Sequence, residues 1–211
     1  MMVRFMKTIL SPALERDVRR SARCVLIMLV LSGTSLLVAP LLMPEGYSWV
    51  SHTTSESAAQ CINSAWLARL GFLLFGLAVI WLAAINNLTW ARGAVWLHKS
   101  FGVFMTATAA FSHKPWVADA AFDSVEDVLH SFTATAMGFS FVFAVLLRLV
   151  QREKQEHVGR ILDIIAIIAA TGIPILMFYQ PMLDGLFQRF MFLIAYIWYG
   201  KEALLTGTQA K

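Results

Sequence analysis

Six apolar runs of nearly membrane-spanning length constrain this chain more than any other feature of its sequence. They cover residues 24–43, 65–85, 94–111, 127–150, 161–179 and 182–205. Each approaches the ~20 residues that an α-helix needs to cross the hydrocarbon core of a bilayer. The runs are continuous, whereas the strands of a transmembrane barrel alternate apolar and polar residues. Backbone groups in lipid must be satisfied within the segment, so the runs are read as helices. The expected fold is all-α: an integral membrane bundle of six transmembrane helices. Residues 1–23 form a basic leader, 24–205 the membrane domain and 206–211 a short tail.

Composition agrees. Of the 211 residues, 58% are hydrophobic and only 14% charged, and the mean hydropathy is +0.66. Soluble domains carry about 25% charged residues, so lipid is expected to cover part of the exterior. The net charge of +4 does not indicate a nucleic-acid binder. Its cations sit in short flanks between apolar runs and form no stripe that could track phosphates. The first run is longer than a signal-peptide core and no small-x-small cleavage site follows it, so it reads as a retained anchor. Cys24 and Cys61 lie on opposite sides of that run, too far apart for a disulfide.

Lys and Arg set the expected orientation. The leader (Arg4, Lys7, Arg16, Arg19, Arg20, Arg23), the turn with Arg92, the loop with Arg148, Arg152, Lys154 and Arg160, and the tail with Lys201 and Lys211 share one side. The opposite loops contain Lys114 as their cation. The positive-inside rule places both termini in the cytoplasm, as in a bacterial inner membrane. Trp49, Trp66, Trp90, Trp96, Trp116 and Trp198 fall near run ends and read as an aromatic belt. Ala134 and Gly138 have small-xxx-small spacing, and Gly71 and Gly76 lie in the second run; both patterns predict close helix contact.

The outer side gathers most of the polar side chains: His52 and Glu56 in the first loop, Arg69 in the second run, His113 after the third, Glu126, Asp127 and His130 at the start of the fourth, and Asp184, Gln188 and Arg189 in the sixth. Glu126 and Asp127 are four and three residues before His130, so they share a helix face with it. A carboxylate beside an imidazole orients it as a base or ligand. His52, His113 and His130 would supply the three nitrogens of a zinc site, with His52, Glu56, Asp127 and His130 as the catalytic set. The structural reading of the same residues is a capping box, Ser124 with Asp127. Arg69 and Arg189 lie inside apolar runs, where an unpaired charge is costly. They are expected to pair with Glu56, Asp127 or Asp184, or to hold a lipid phosphate. Asp163 is expected to pair with Arg160.

The segment Tyr47-Ser-Trp-Val-Ser-His-Thr-Thr-Ser-Glu56 and the following Ala65-Trp-Leu-Ala-Arg-Leu-Gly-Phe-Leu73 resemble the domain of unknown function 998 family of prokaryotic multi-pass membrane proteins. His52, Thr53, Ser55, Glu56, Arg69, Gly71 and Phe72 carry the resemblance, and Phe111–Trp116 and Glu126–His130 extend it. Ser57-Ala58 stand where the family pattern has Leu-Gly. The resemblance implies six spans in the same order and supplies no reaction. Two functions follow from the residues. One is a membrane protein whose outer cluster binds a lipid headgroup, a protein partner or a second copy. The other is a metal-dependent intramembrane hydrolase acting on a lipid at the outer leaflet. No acid chain crosses the middle of the runs, which disfavours a transporter.

Overall fold

The structure, a computed structural model, describes residues 12–117 and 119–209. Arg4 and Lys7 of the leader and Lys211 of the tail lie outside them. Six long helices occupy the six runs: α1 (Pro12–Val38), α2 (Trp66–Ile85), α3 (Arg92–Ala110), α4 (Ser124–Gln151), α5 (His157–Tyr179) and α6 (Asp184–Gln209). There is no strand among the described residues. Each helix packs on the next in sequence, and α6 returns to α1, closing a ring.

Four segments are long and apolar enough to cross a membrane: Ala13–Leu42, Trp66–Ile85, Ser124–Gln151 and His157–Tyr179. The polar residues of α3 and α6, among them Lys99, Arg189 and Glu202, keep those two helices out of this set. All six helices expose large apolar side chains, including Val30, Leu77, Val103, Phe139, Ile168 and Phe190. A surface of that kind suits a lipid solvent better than water.

Helix ends follow local chemistry. Pro40 closes α1 through a 3-10 turn, Ala39–Leu42. At its other end α1 runs unbroken from Pro12 through the basic leader into the first apolar run. Ala22 and Val25 are both buried, and Gly207 of α6 lies beside Ala22. Pro174 stands inside α5, where its ring leaves the Ala170 carbonyl without an intrahelical donor.

Small residues explain one tight seam and fail to explain another. A Cβ on Gly76 would lie 2.6 Å from the Gly102 carbonyl, and one on Gly102 equally close to the Gly76 carbonyl. The backbones of α2 and α3 therefore touch at these two positions, as small interfacial residues permit. Gly138 behaves differently: a Cβ there meets nothing within 4 Å. Gly138 therefore makes no close contact with a neighbouring helix, and with Ala134 it borders a cavity.

Aromatic rings from α6 fill the centre. Tyr196 stacks on Phe75 with centroids 4.3 Å apart. Tyr199 reaches Phe75, Phe101 and Phe141 on three other helices. Trp49, Trp66 and Trp96 are exposed as a belt requires, but Trp90 and Trp198 are buried. Those two belong to the core, where each contacts the ring of His98 and they meet one another edge to face.

Candidate functional site

The first loop, residues 43–65, folds over one end of the bundle. Thr53 and Glu56 hold each other: the Glu56 carboxylate accepts the Thr53 N–H at 2.6 Å, and the Thr53 hydroxyl accepts the Glu56 N–H at 3.1 Å. This reciprocal pair fixes a short turn in the manner of a capping box. The Ser48 N–H donates to Nδ1 of His52 at 2.8 Å. The Tyr47 hydroxyl donates to the Thr53 carbonyl at 2.8 Å. Burial raises the pKa of Tyr47 above its ordinary value of 10.0, although Arg189 acts against that rise.

The first two turns of α6 grip this loop. The Leu186 N–H donates to the Val50 carbonyl at 3.0 Å. The side-chain oxygen of Gln188 accepts the Thr54 N–H at 2.7 Å and the Thr54 hydroxyl at 2.5 Å. Arg189 donates through one nitrogen to the carbonyls of Trp49, His52 and Gly185, each at 2.8 Å, and through the other to the Tyr47 hydroxyl at 2.7 Å. Its guanidinium lies 4.7 Å from the centroid of the Trp49 ring. Residue 185 must be glycine, because a Cβ there would run into the carbonyls of His52 and Trp49. At the far end of the loop, Arg69 donates to the carbonyls of Ala58 (3.1 Å) and Ala59 (3.0 Å).

The expected carboxylate partners of the two arginines are thus replaced by backbone carbonyls. Among the described residues, neither Arg69 nor Arg189 forms an ion pair with Glu56, Asp127 or Asp184. Carbonyl dipoles take up part of each guanidinium's donors without cancelling the charge. The Nε of Arg189 is buried without a hydrogen-bond partner. Arg189 also closes one end of an apolar groove of about 360 Å³ between α1 and α6. Leu29, Gly33 and Leu36 line its α1 wall, Phe192 and Tyr196 its α6 wall.

A second polar group joins the α3–α4 loop to the start of α4. Its first residue corrects the expected capping box. Asp123, not Ser124, caps α4, accepting the N–H groups of Val125 and Glu126 at 2.8 and 3.2 Å. Glu126 and Asp127 are then free to bind the loop, taking the N–H groups of Ser112 (2.6 Å) and Lys114 (2.8 Å). His130 lies beneath, its Nδ1 2.8 Å from the Phe111 carbonyl. A carbonyl only accepts, so that nitrogen carries a proton. The same argument protonates Nδ1 of His113, 2.8 Å from the Lys114 carbonyl. Gln60 ties this group to the first loop by accepting the Asp123 N–H and donating to the Ser112 carbonyl.

The expected catalytic and zinc-binding residues therefore divide. His113 and His130 meet edge to face with centroids 5.3 Å apart, and His113 lies 3.9 Å from Asp127. His52 packs instead with Tyr47 and Trp116, and Glu56 is engaged with Thr53. Among the described residues, no three His, Cys, Asp or Glu side chains are grouped to hold a metal ion. Trp116 bridges the two groups, 5.0 Å from Tyr47 and 5.6 Å from His52.

At the opposite end of the bundle, Arg148, Arg152 and Asp163, which the sequence leaves as loop cations and an i, i+3 pair, join with Glu202 in one cluster. Arg152, in the α4–α5 loop, binds Asp163 of α5 through two nitrogens (2.5 and 3.1 Å) and Glu202 of α6 at 2.5 Å. Asp163 is therefore not the partner of Arg160. It also accepts the indole N–H of Trp198 at 2.8 Å. Arg148 reaches Glu202 at 3.1 Å and lies over the Trp90 ring. Burial works to lower the pKa of Arg152, but its hydrogen bonds to Asp163 and the charge of Glu202 outweigh it, and the net direction is upward.

Fold and surface together describe an all-helical bundle built of helices compatible with a membrane. The chain matches the family described as "Protein of unknown function (DUF998)" over residues 22–201. It belongs to that family. No curated protein and no solved structure matches it.

Proposed function

We propose that this chain is a six-span protein of the bacterial inner membrane, with both termini in the cytoplasm, whose outer face binds an anionic lipid headgroup. The observation that carries the reading is Arg189: a guanidinium without a carboxylate partner, at the head of an apolar groove. A lipid has the matching form, an anionic group joined to a hydrocarbon chain. The phosphate would meet Arg189 while a chain lies between Leu29 and Phe192. Arg69 of α2 offers a second uncompensated charge, bound to the other end of the same loop. α3 and α6 cross as members of a closed ring, where neighbouring helices shield their charged residues.

The test is the lipid retained by detergent-purified protein, quantified by mass spectrometry. Arg189→Gln is expected to lower bound phosphatidylglycerol about tenfold, the equivalent of one charge-assisted hydrogen bond. Gly33→Leu fills the groove without touching the loop and should act in the same direction. Folded variants that both keep the wild-type lipid content would refute the reading. A reporter fused after Lys211 tests the orientation, and a periplasmic signal would overturn it.

A further inference from the structure

The ring of helices is least closely packed where α4, α5 and α6 meet. The apolar stretch of α5 is 22% buried, against 50% for that of α2. Between these helices lies a cavity of about 700 Å³, within the range of ~300–1,000 Å³ typical of ligand pockets. Ala134 and Gly138 of α4 face Ala166, Ala169 and Ala170 of α5 across it. Small residues that would draw helices together in a packed seam here create room.

The lining restricts what can enter. It contains no charged side chain, and its two hydroxyls, of Thr135 and Thr171, are bonded to their own helices at Ser131 and Ile167. The acceptor lone pairs of these hydroxyls and the Ala170 carbonyl beside Pro174 are its polar features, and the remaining side chains of the lining are apolar. The cavity is partly open at its outer edge, where Thr135, Phe139 and Phe143 are exposed, so a chain can enter it from the side. Met137, Met177 and Met191 supply adaptable walls. Phe139, Phe143, Ile168 and Ile175 flank the cavity with exposed apolar side chains, so the solvent at its edge is hydrocarbon.

We infer that this cavity is a second binding site, which takes one hydrocarbon chain of a membrane lipid entering sideways between α4 and α5. Phe192 lines both this cavity and the α1–α6 groove and stands between them. The inference shares the membrane reading with the proposed function but does not depend on Arg189.

The test uses the full chain in nanodiscs doped with phosphatidylethanolamine bearing a mid-chain diazirine. After photolysis, labelled peptides are mapped by mass spectrometry. Residues 134–143 and 166–177 should be labelled in preference to residues 27–38 of α1, which are also lipid-facing. Gly138→Phe and Ala170→Phe each place a ring in the cavity and should lower its labelling about tenfold relative to α1, because overpacking a filled site is unfavourable. Arg189→Gln should leave cavity labelling unchanged, which separates this site from the headgroup site. Equal labelling of α1 and the cavity peptides in the wild type would overturn the inference. So would undiminished labelling in either folded variant. If neither variant folds, the wild-type comparison alone decides.

Discussion

The two ends of the bundle handle charge in opposite ways. At the first-loop end, Arg69 and Arg189 bind backbone carbonyls, and Glu56, Glu126 and Asp127 bind backbone N–H groups. Each charge holds a loop in place and retains its sign. At the other end, Arg148, Arg152, Asp163 and Glu202 neutralise one another in a buried cluster that clasps α4, α5 and α6. Charge bound to dipoles remains available to a ligand, whereas charge bound to charge is committed to structure. Under the proposed function the loop end serves recognition, while the clasp serves stability.

The largest effect should come from the clasp. Arg152→Met leaves the buried Asp163 without a cationic partner and Glu202 with Arg148 and Lys201 alone, a loss of ~3–5 kcal/mol. Thermal unfolding in detergent should show a strong drop or a failure to fold. A stability within 1 kcal/mol of wild type, on the scale of a surface substitution, would mean that the clasp is dispensable. Gly185→Ala forces a methyl group against two carbonyls of the first loop. It should cost about 1–3 kcal/mol and raise proteolysis between residues 44 and 64.

Asp123→Ala should cost about 1 kcal/mol as a lost N-cap, while Ser124→Ala should cost little. The opposite order would restore the capping box expected from sequence. The smallest effect is at Tyr47. Its pKa is raised above 10.0 by burial, so the unfolded chain releases this proton first as pH climbs. Above pH 10 the native state binds more protons than the unfolded state, and stability falls. Tyr47→Phe should make that fall shallower and leave stability below the unfolded pKa without this titration.

The helices were legible because their signal is local: an apolar run declares itself within 20 residues. The cluster's membership was also legible, since polar residues at run ends are conspicuous. Its pairing was not. Sequence shows opposite charges but not backbone carbonyls, so Arg69 and Arg189 were assigned to acids they do not meet. Arg152 and Glu202 are 50 residues apart, and only the ring closure of α6 brings them together. Asp163 and Arg160 are i, i+3 neighbours, a pairing visible in a sequence, whereas the return of Arg152 to Asp163 is not. Ser124 lost the cap to Asp123 by one residue, a shift that freed Asp127 for the loop. Trp90 and Trp198 looked like belt residues by position, yet His98 and Arg148 give them a buried role.

The contrast between the ends is tested most directly by measuring bound phosphatidylglycerol and thermal stability on the same preparations of Arg152→Met and Arg189→Gln. The expected result is a crossing. Folded Arg152→Met protein keeps its lipid and loses most stability, while Arg189→Gln loses its lipid about tenfold and less stability. Lipid lost from folded Arg152→Met and retained by Arg189→Gln would contradict the account.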